Sequence, residues 1–145
     1  MESHQIIQKL PYQKPFLFVD AITSVSENRI IGEYTFDENL SFYKGHFVDN
    51  PITPGVILIE CMAQIGLVCF GIYLLNESIN KEQNPKIAFT SSQVDFFKPV
   101  YPGEKVKVVS KKEVFRFNKL KCKVSLFNEK EELVCRGKLS GMLTS

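Results

Sequence analysis

A chain of 145 residues, 44% hydrophobic and 23% charged, has the size and composition of one globular domain, which excludes a disordered chain and leaves little room for a second domain. Eighteen Lys and Arg against sixteen Asp and Glu leave a net charge of +2, too balanced for the basic excess that an electrostatically driven nucleic-acid binder carries.

Residues 3–9 fit a short helix. The opening MESHQIIQKLPYQKP has no basic stretch followed by an apolar one, which argues against a secretory signal. Residues 15–26, rich in Phe, Val, Ile and Thr, read as a strand, and Glu27-Asn28 as a turn. Residues 29–37 read as the returning strand. Residues 38–54 hold Asn39, Gly45, Asn50, Pro51 and Pro54 and read as an irregular loop.

Residues 55–75, GVILIECMAQIGLVCFGIYLL, are long and apolar enough to span a bilayer. Glu60 would be costly in lipid, and no Lys or Arg flanks the run closely. The surrounding strands also need an apolar element to cover. The run is therefore expected to be a buried central helix, apolar all round, and no membrane span is expected. Thr53 fits the N-cap and Pro54 the first helical position, while Asn76 and the polar run after it end the helix. Residues 86–97, 104–117, 119–128 and 132–143 read as four further strands, with Asn118 and Asn128 at turns. One apolar helix covered by a long antiparallel sheet is an α+β layer arrangement, here a single domain over residues 1–145.

Cys61, Cys69, Cys122 and Cys135 show no C-x-x-C spacing, so neither a zinc nor a redox motif is supported. Cys61 and Cys69, inside the apolar run, act as small hydrophobes, and a reduced cytoplasmic chain is expected. His4 sits at a fraying terminus. His46 lies in the loop before the helix, and Glu60 is the only acid in the apolar run. A His and a desolvated carboxyl are the minimum for acid–base work. Apolar surroundings favour a protonated Glu60 that can donate to a leaving hydroxyl, and His46 can take a proton near neutrality. Gln64, one turn after Glu60, can steady it. The unpaired N–H of Gly55 at the helix start can receive a carbonyl oxygen gaining charge. Taken singly, each has a plainer reading: a polar loop His, a structural carboxyl, an ordinary helix start.

Together they form a longer pattern. The run Gly45-His46-Phe47-Val48-Asp49-Asn50-Pro51-Ile52-Thr53-Pro54-Gly55-Val56, followed by Glu60 and Ala63-Gln64, resembles the G-H-F-P-x-x-P-x-M-P-G-V-x-x-x-E-x-x-A-Q signature of the 3-hydroxyacyl-[acyl-carrier-protein] dehydratases of the hotdog fold. Leu10 to Asp20 is similar to that family's opening segment, and Phe97 to Glu104 to its F-x-x-P-V-x-P-G-D segment. The resemblance implies a hotdog fold, a long antiparallel sheet wrapped around one helix. It implies reversible dehydration of (3R)-3-hydroxyacyl-acyl carrier protein, with His46 as base and Glu60 as acid. Gly55 would bind the thioester carbonyl, Gln64 would support the acid, and Phe47 and Val56 would help bind substrate.

Neither a metal nor an organic cofactor is implied. The partners implied are acyl carrier protein and a second copy of the chain, with a dimer sharing its catalytic groups between subunits and extending to a hexamer. Val48, Thr53 and Tyr12 depart from the family's Pro, Met and His, which leaves chain length and pathway open. Glu in place of Asp on the helix matches the branch that dehydrates without isomerising. Thioester hydrolysis and a non-catalytic acyl-binding subunit are the alternatives. Eight of the eighteen basic residues fall between 105 and 123; they read either as a docking patch for an acidic carrier or as a solvated strand face.

Overall fold

The apolar run forms the helix that its length predicts. The computed structural model describes residues 1–78 and 86–144. A short helix α1 (Ser3–Gln8) precedes the central helix α2. Helix α2 is α-helical over Gly55–Ala63, π-helical over Gln64–Cys69 and α-helical again over Phe70–Ser78. Every residue from Cys61 to Ile72 is buried, as expected of a helix apolar on all sides. It is thus the core helix of the fold, although its length and composition alone would let it cross a membrane.

Six strands surround it: β1 (Ala21–Val25), β2 (Arg29–Thr35), β3 (Lys86–Phe96), β4 (Lys105–Arg116), β5 (Lys119–Phe127) and β6 (Leu133–Thr144). Their order in the sheet is β1-β2-β4-β5-β6-β3, antiparallel at every pairing. Alternation puts Val106, Val108 and Ser110 of β4, and Leu120, Cys122, Val124 and Leu126 of β5, against the helix. At Gly66 the two layers nearly touch: a Cβ there would lie 3.1 Å from Ser110. The Ser110 hydroxyl donates to the Gly66 carbonyl at 3.0 Å, giving the π-helical stretch a partner in the sheet.

Three local expectations change. The strand expected over residues 15–26 is confined to Ala21–Val25. The preceding backbone bonds to a side chain instead, with Phe16 O and Phe18 N paired to the Gln64 amide, so it crosses the helix rather than joining the sheet. The helix cap is Pro54, not Thr53, because the Thr53 hydroxyl is engaged with the Tyr43 hydroxyl. The helix continues past Asn76 to Ser78, and residues 79–85 of the polar run lie outside the described residues. The turn between β4 and β5 falls at Asn118 as expected, with Phe117 (φ 51°) and Asn118 (φ 62°) both left-handed.

The two sheet edges differ in length. Strand β1 has five residues. Strand β3 has eleven, pairs among the described residues only with β6, and buries none of its side chains fully.

Candidate active site

The irregular loop before α2 is tied up by its own backbone. A 3-10 turn at Ser41–Lys44 leads into it, and the His46 N–H donates to Phe42 O at 3.1 Å. On the far side Ile52 N donates to His46 O at 2.8 Å, and Thr53 N donates to Val100 O at 2.8 Å. The loop is thus pinned at its start, at its middle and to the segment after β3. A buried contact between the Tyr43 and Thr53 hydroxyls, 2.5 Å apart, closes it ten residues across.

His46 sits inside this clasp. Its Nδ1 lies 3.0 Å from Ile52 O. A carbonyl oxygen only accepts, so Nδ1 carries the hydrogen, and in the neutral ring the lone pair then belongs to Nε2. The Phe47 ring stacks on the imidazole at 4.1 Å. His46, Ile52, Thr53, Gly55, Leu58, Phe96, Phe97, Lys98 and Pro99 line an open groove of about 360 Å3. Gly55 opens α2 at this groove. The N–H groups of Ile57 and Leu58 bond to Pro54 O, whereas those of Gly55 and Val56 find no acceptor among the described residues. The positive end of the helix dipole adds to their attraction for an oxygen gaining charge. A Cβ at Gly55 would come within 3.1 Å of the Phe96 ring, so the groove needs glycine there to stay open.

Glu60 lies elsewhere. It is half-buried rather than buried, so the desolvation expected of it is partial in one chain. Gln64, fully buried, donates through Nε2 to Glu60 Oε2 at 3.1 Å and to Phe16 O at 3.0 Å, and accepts at Oε1 from Phe18 N at 2.8 Å. Each amide atom has a partner, so the side chain has one orientation. Tyr12, unremarked in the sequence beyond replacing a family His, is close enough to Glu60 to sense it. Burial pushes its hydroxyl pKa up, and the negative charge of Glu60 pushes it further.

Of the residues singled out in the sequence, the structure brings His46 and Gly55 into one groove. Phe47 and Val56 are exposed beside it, at 53% and 73%. Gln64 contacts Glu60, but Glu60 does not line the His46 groove of its own chain. Sequence reasoning missed the Tyr43–Thr53 clasp and the roof formed by Phe96 and Phe97. The signal available for the roof was an aromatic pair ending a strand just before a Pro-containing break.

A six-stranded antiparallel sheet wrapped on one apolar helix, with a groove at the helix start, defines the hotdog fold. Solved structures agree on the fold. The dehydratase heterocomplex ApeI:P from Xenorhabdus doucetiae matches 97% of this chain and 91% of its own, at TM-score 0.80 and 15% identity. A mutant thioesterase from Pseudomonas aeruginosa matches 99% and 94%, at TM-score 0.71 and 10% identity. The FabA-like domain matches residues 10–137, and the chain belongs to that family. Among curated relatives, the 3-hydroxyacyl-[acyl-carrier-protein] dehydratase FabZ of Ehrlichia ruminantium is 39% identical over 121 residues, covering 77% of this chain and 79% of the relative. That of Acinetobacter baylyi is 33% identical over 124 residues, covering 81% and 82%. The expected fold and the expected dehydratase family are both borne out.

Proposed function

We infer that the chain dehydrates (3R)-3-hydroxyacyl thioesters carried on acyl carrier protein, forming the trans-2-enoyl thioester in fatty acid synthesis or a related polyene or polyketide route. The observation that carries this reading is the polarity of the His46 ring. With Nδ1–H held by Ile52, Nε2 of the neutral ring is the nitrogen free to take a proton, and Gly55 lines the same groove. In this reading Nε2 removes the proton at C2. The electron pair moves into the thioester as an enolate, whose oxygen the Gly55 N–H receives. The C3–O bond then breaks, the protonated Glu60 carboxyl gives its proton to the departing hydroxyl, and water leaves as the C2=C3 bond forms. A positioned acid or base contributes about 10²- to 10⁴-fold, and one oxyanion donor about 10²- to 10³-fold.

Because Glu60 does not line the groove of its own chain, the reading needs a second copy. The bare β3 edge supports one, since a long unpaired strand is a template for pairing. Exposed Phe89, Phe96 and Phe97 add apolar area there. We take the unit as a homodimer that shares its sites, extending to a trimer of dimers, each chain one domain over residues 1–145. The buried apolar helix and four buried free thiols support a cytoplasmic location.

The test is mass spectrometry of 3-hydroxybutyryl- and 3-hydroxydecanoyl-carrier protein after incubation with the enzyme. Loss of one water is expected; release of the free acid would replace this reading with thioester hydrolysis. His46→Ala and Glu60→Gln should each lower turnover by about 10²-fold or more while the fold persists. Refolding the two variants together should restore activity, because one site of each mixed dimer is then complete. No recovery would place the acid within one chain.

A further inference from the structure

The end of the sheet away from the groove carries a feature that the groove does not explain. Strand β3 ends at Phe96, in the groove wall, and begins at Lys86, opposite the last residue of β6. At that far end β4 and β5 join in a two-residue turn, Phe117-Asn118, and both residues are left-handed. Such a turn ordinarily holds Asn, Asp or Gly. Asn118 fits, but a bulky side chain at the φ of 51° of Phe117 is strained. No packing offsets that strain, because Phe117 is 90% exposed. The tip is also fixed, since Asn118 O accepts from Leu143 N at 2.7 Å. A single exposed apolar side chain is ordinary on a protein surface, whereas a strained one on a fixed tip points to a use. The charge around the ring has one sign. Arg116 and Lys119 pair across the turn, and the Arg116 guanidinium lies 6.0 Å from the Phe117 ring. Lys121 follows Lys119 on the same face of β5. None of these three cations makes an ion pair among the described residues. Strands β5 and β6 contain no Asp or Glu, and neither do residues 86–94 of β3. Met142, opposite Lys119 on β6, adds exposed apolar surface.

We propose that this hairpin tip binds an anionic lipid surface, with Phe117 entering between headgroups and acyl chains and Arg116, Lys119 and Lys121 meeting the headgroups. The size of the tip favours a bilayer over a protein partner. One aromatic side chain offers about 150–250 Å2, well below the roughly 800 Å2 that each partner gives to a stable protein interface. A fluid bilayer needs no pocket of matching shape, and an apolar wedge beside cations is what holds peripheral proteins to it. Each cation close to an anionic leaflet strengthens binding about fivefold. The eleven residues of β3 lie between this end and the groove, a span of roughly 30 Å. A bilayer holding the tip therefore leaves the His46 groove open, and the inference is independent of the chemistry assigned there.

Sedimentation of the native protein with vesicles tests this, using phosphatidylcholine with about one-third phosphatidylglycerol against phosphatidylcholine alone. The protein should pellet with the anionic vesicles at low salt and be released toward about 0.5 M salt, where screening shortens to a few ångströms (about 3 Å at 1 M). Arg116→Gln/Lys119→Gln should weaken binding about twentyfold. Phe117→Gly should weaken it about tenfold. Its melting temperature should hold or rise, because glycine accepts the left-handed turn, which separates a binding role from a structural one. The chain has no Trp, so Phe117→Trp places a single reporter at the tip, and its emission should move to the blue with anionic vesicles only. A native protein that stays in the supernatant, or pellets equally with both kinds of vesicle, would overturn the proposal. So would a Phe117→Gly variant that binds as well as the native protein, or a Phe117→Trp emission that does not move. A change of oligomeric state in Phe117→Gly on gel filtration, with no vesicle binding by the native protein, would assign the tip to a contact between copies and overturn it as well.

Discussion

The two groups assigned to the reaction are anchored in opposite ways. His46 is held by main chain: its N–H on Phe42, its carbonyl on Ile52 N and its ring on Ile52 O. Glu60 is held by one side chain, Gln64, which is itself fixed by the backbone of Phe16 and Phe18. A main-chain anchor survives most side-chain substitutions around it. A side-chain anchor is lost with a single residue, and here the same amide also satisfies the segment that crosses the helix. The half built around Glu60 is therefore the more fragile of the two.

Gln64→Leu should have the largest effect. It leaves the Phe16 carbonyl and the Phe18 N–H without partners, at about 1–3 kcal/mol each. The melting temperature should fall by roughly 10 °C, and turnover should fall with it as Glu60 loses its support. Calorimetry showing a shift of under about 2 °C would mean that residues 16–18 hold without the amide, and the contrast between the two halves would disappear.

The clasp on the His46 side gives the next test. Tyr43→Phe leaves the buried Thr53 hydroxyl alone, and Thr53→Val leaves the Tyr43 hydroxyl alone, each costing about 1–3 kcal/mol. The double variant, with both hydroxyls gone, should be more stable than either single variant. Additive losses would show that the two hydroxyls are independent. Since the ring of His46 hangs on Ile52 rather than on the clasp, turnover in all three should stay within about tenfold of the parent, a barrier change of about 1.4 kcal/mol.

Gly55→Ala separates groove shape from stability. The new methyl would lie 3.1 Å from a Phe96 ring that is 46% exposed and can give way, so folding should be little changed. The groove narrows at the N–H meant for the carbonyl, and kcat/KM should fall roughly tenfold. An unchanged kcat/KM would remove Gly55 from the substrate path.

These contrasts were partly legible in the residues. The loop, the helix start and the central helix follow from Gly, Pro and an unbroken apolar run, which are local signals. The strand expected over residues 15–26 was misjudged because Phe16–Val19 have strand-like side chains while their backbone is satisfied by Gln64, nearly fifty residues away. The pairing of β3 with β6 is likewise non-local, and no turn announces it. Glu60 stands out in the sequence as the lone acid of the apolar run. Its absence from the His46 groove depends on which way the helix is turned, and a helix apolar on every side gives no periodicity from which to read that.

The smallest effect tests the packing behind the Glu60 half. Phe18, which Gln64 holds, packs edge-on against Tyr34 at 5.6 Å, and Tyr34 packs edge-on against Phe36 at 4.8 Å. Burial, with the negative charge of Asp20 adding, pushes the Tyr34 hydroxyl pKa up to about 12. The native state thus favours the neutral phenol, whereas in the unfolded chain it ionises near pH 10, as an ordinary tyrosine does, at about 10. Its contribution is then complete below about pH 10 and is lost as the pH rises toward 12. Urea midpoints of the native enzyme should fall more steeply over that window than those of Tyr34→Phe. Tyr12 and Tyr43, also raised by burial, leave Tyr34→Phe a residual slope. Parallel slopes in the two proteins would mean that the ionised phenol is tolerated in place, and that the cluster bracing Phe18 is open to water.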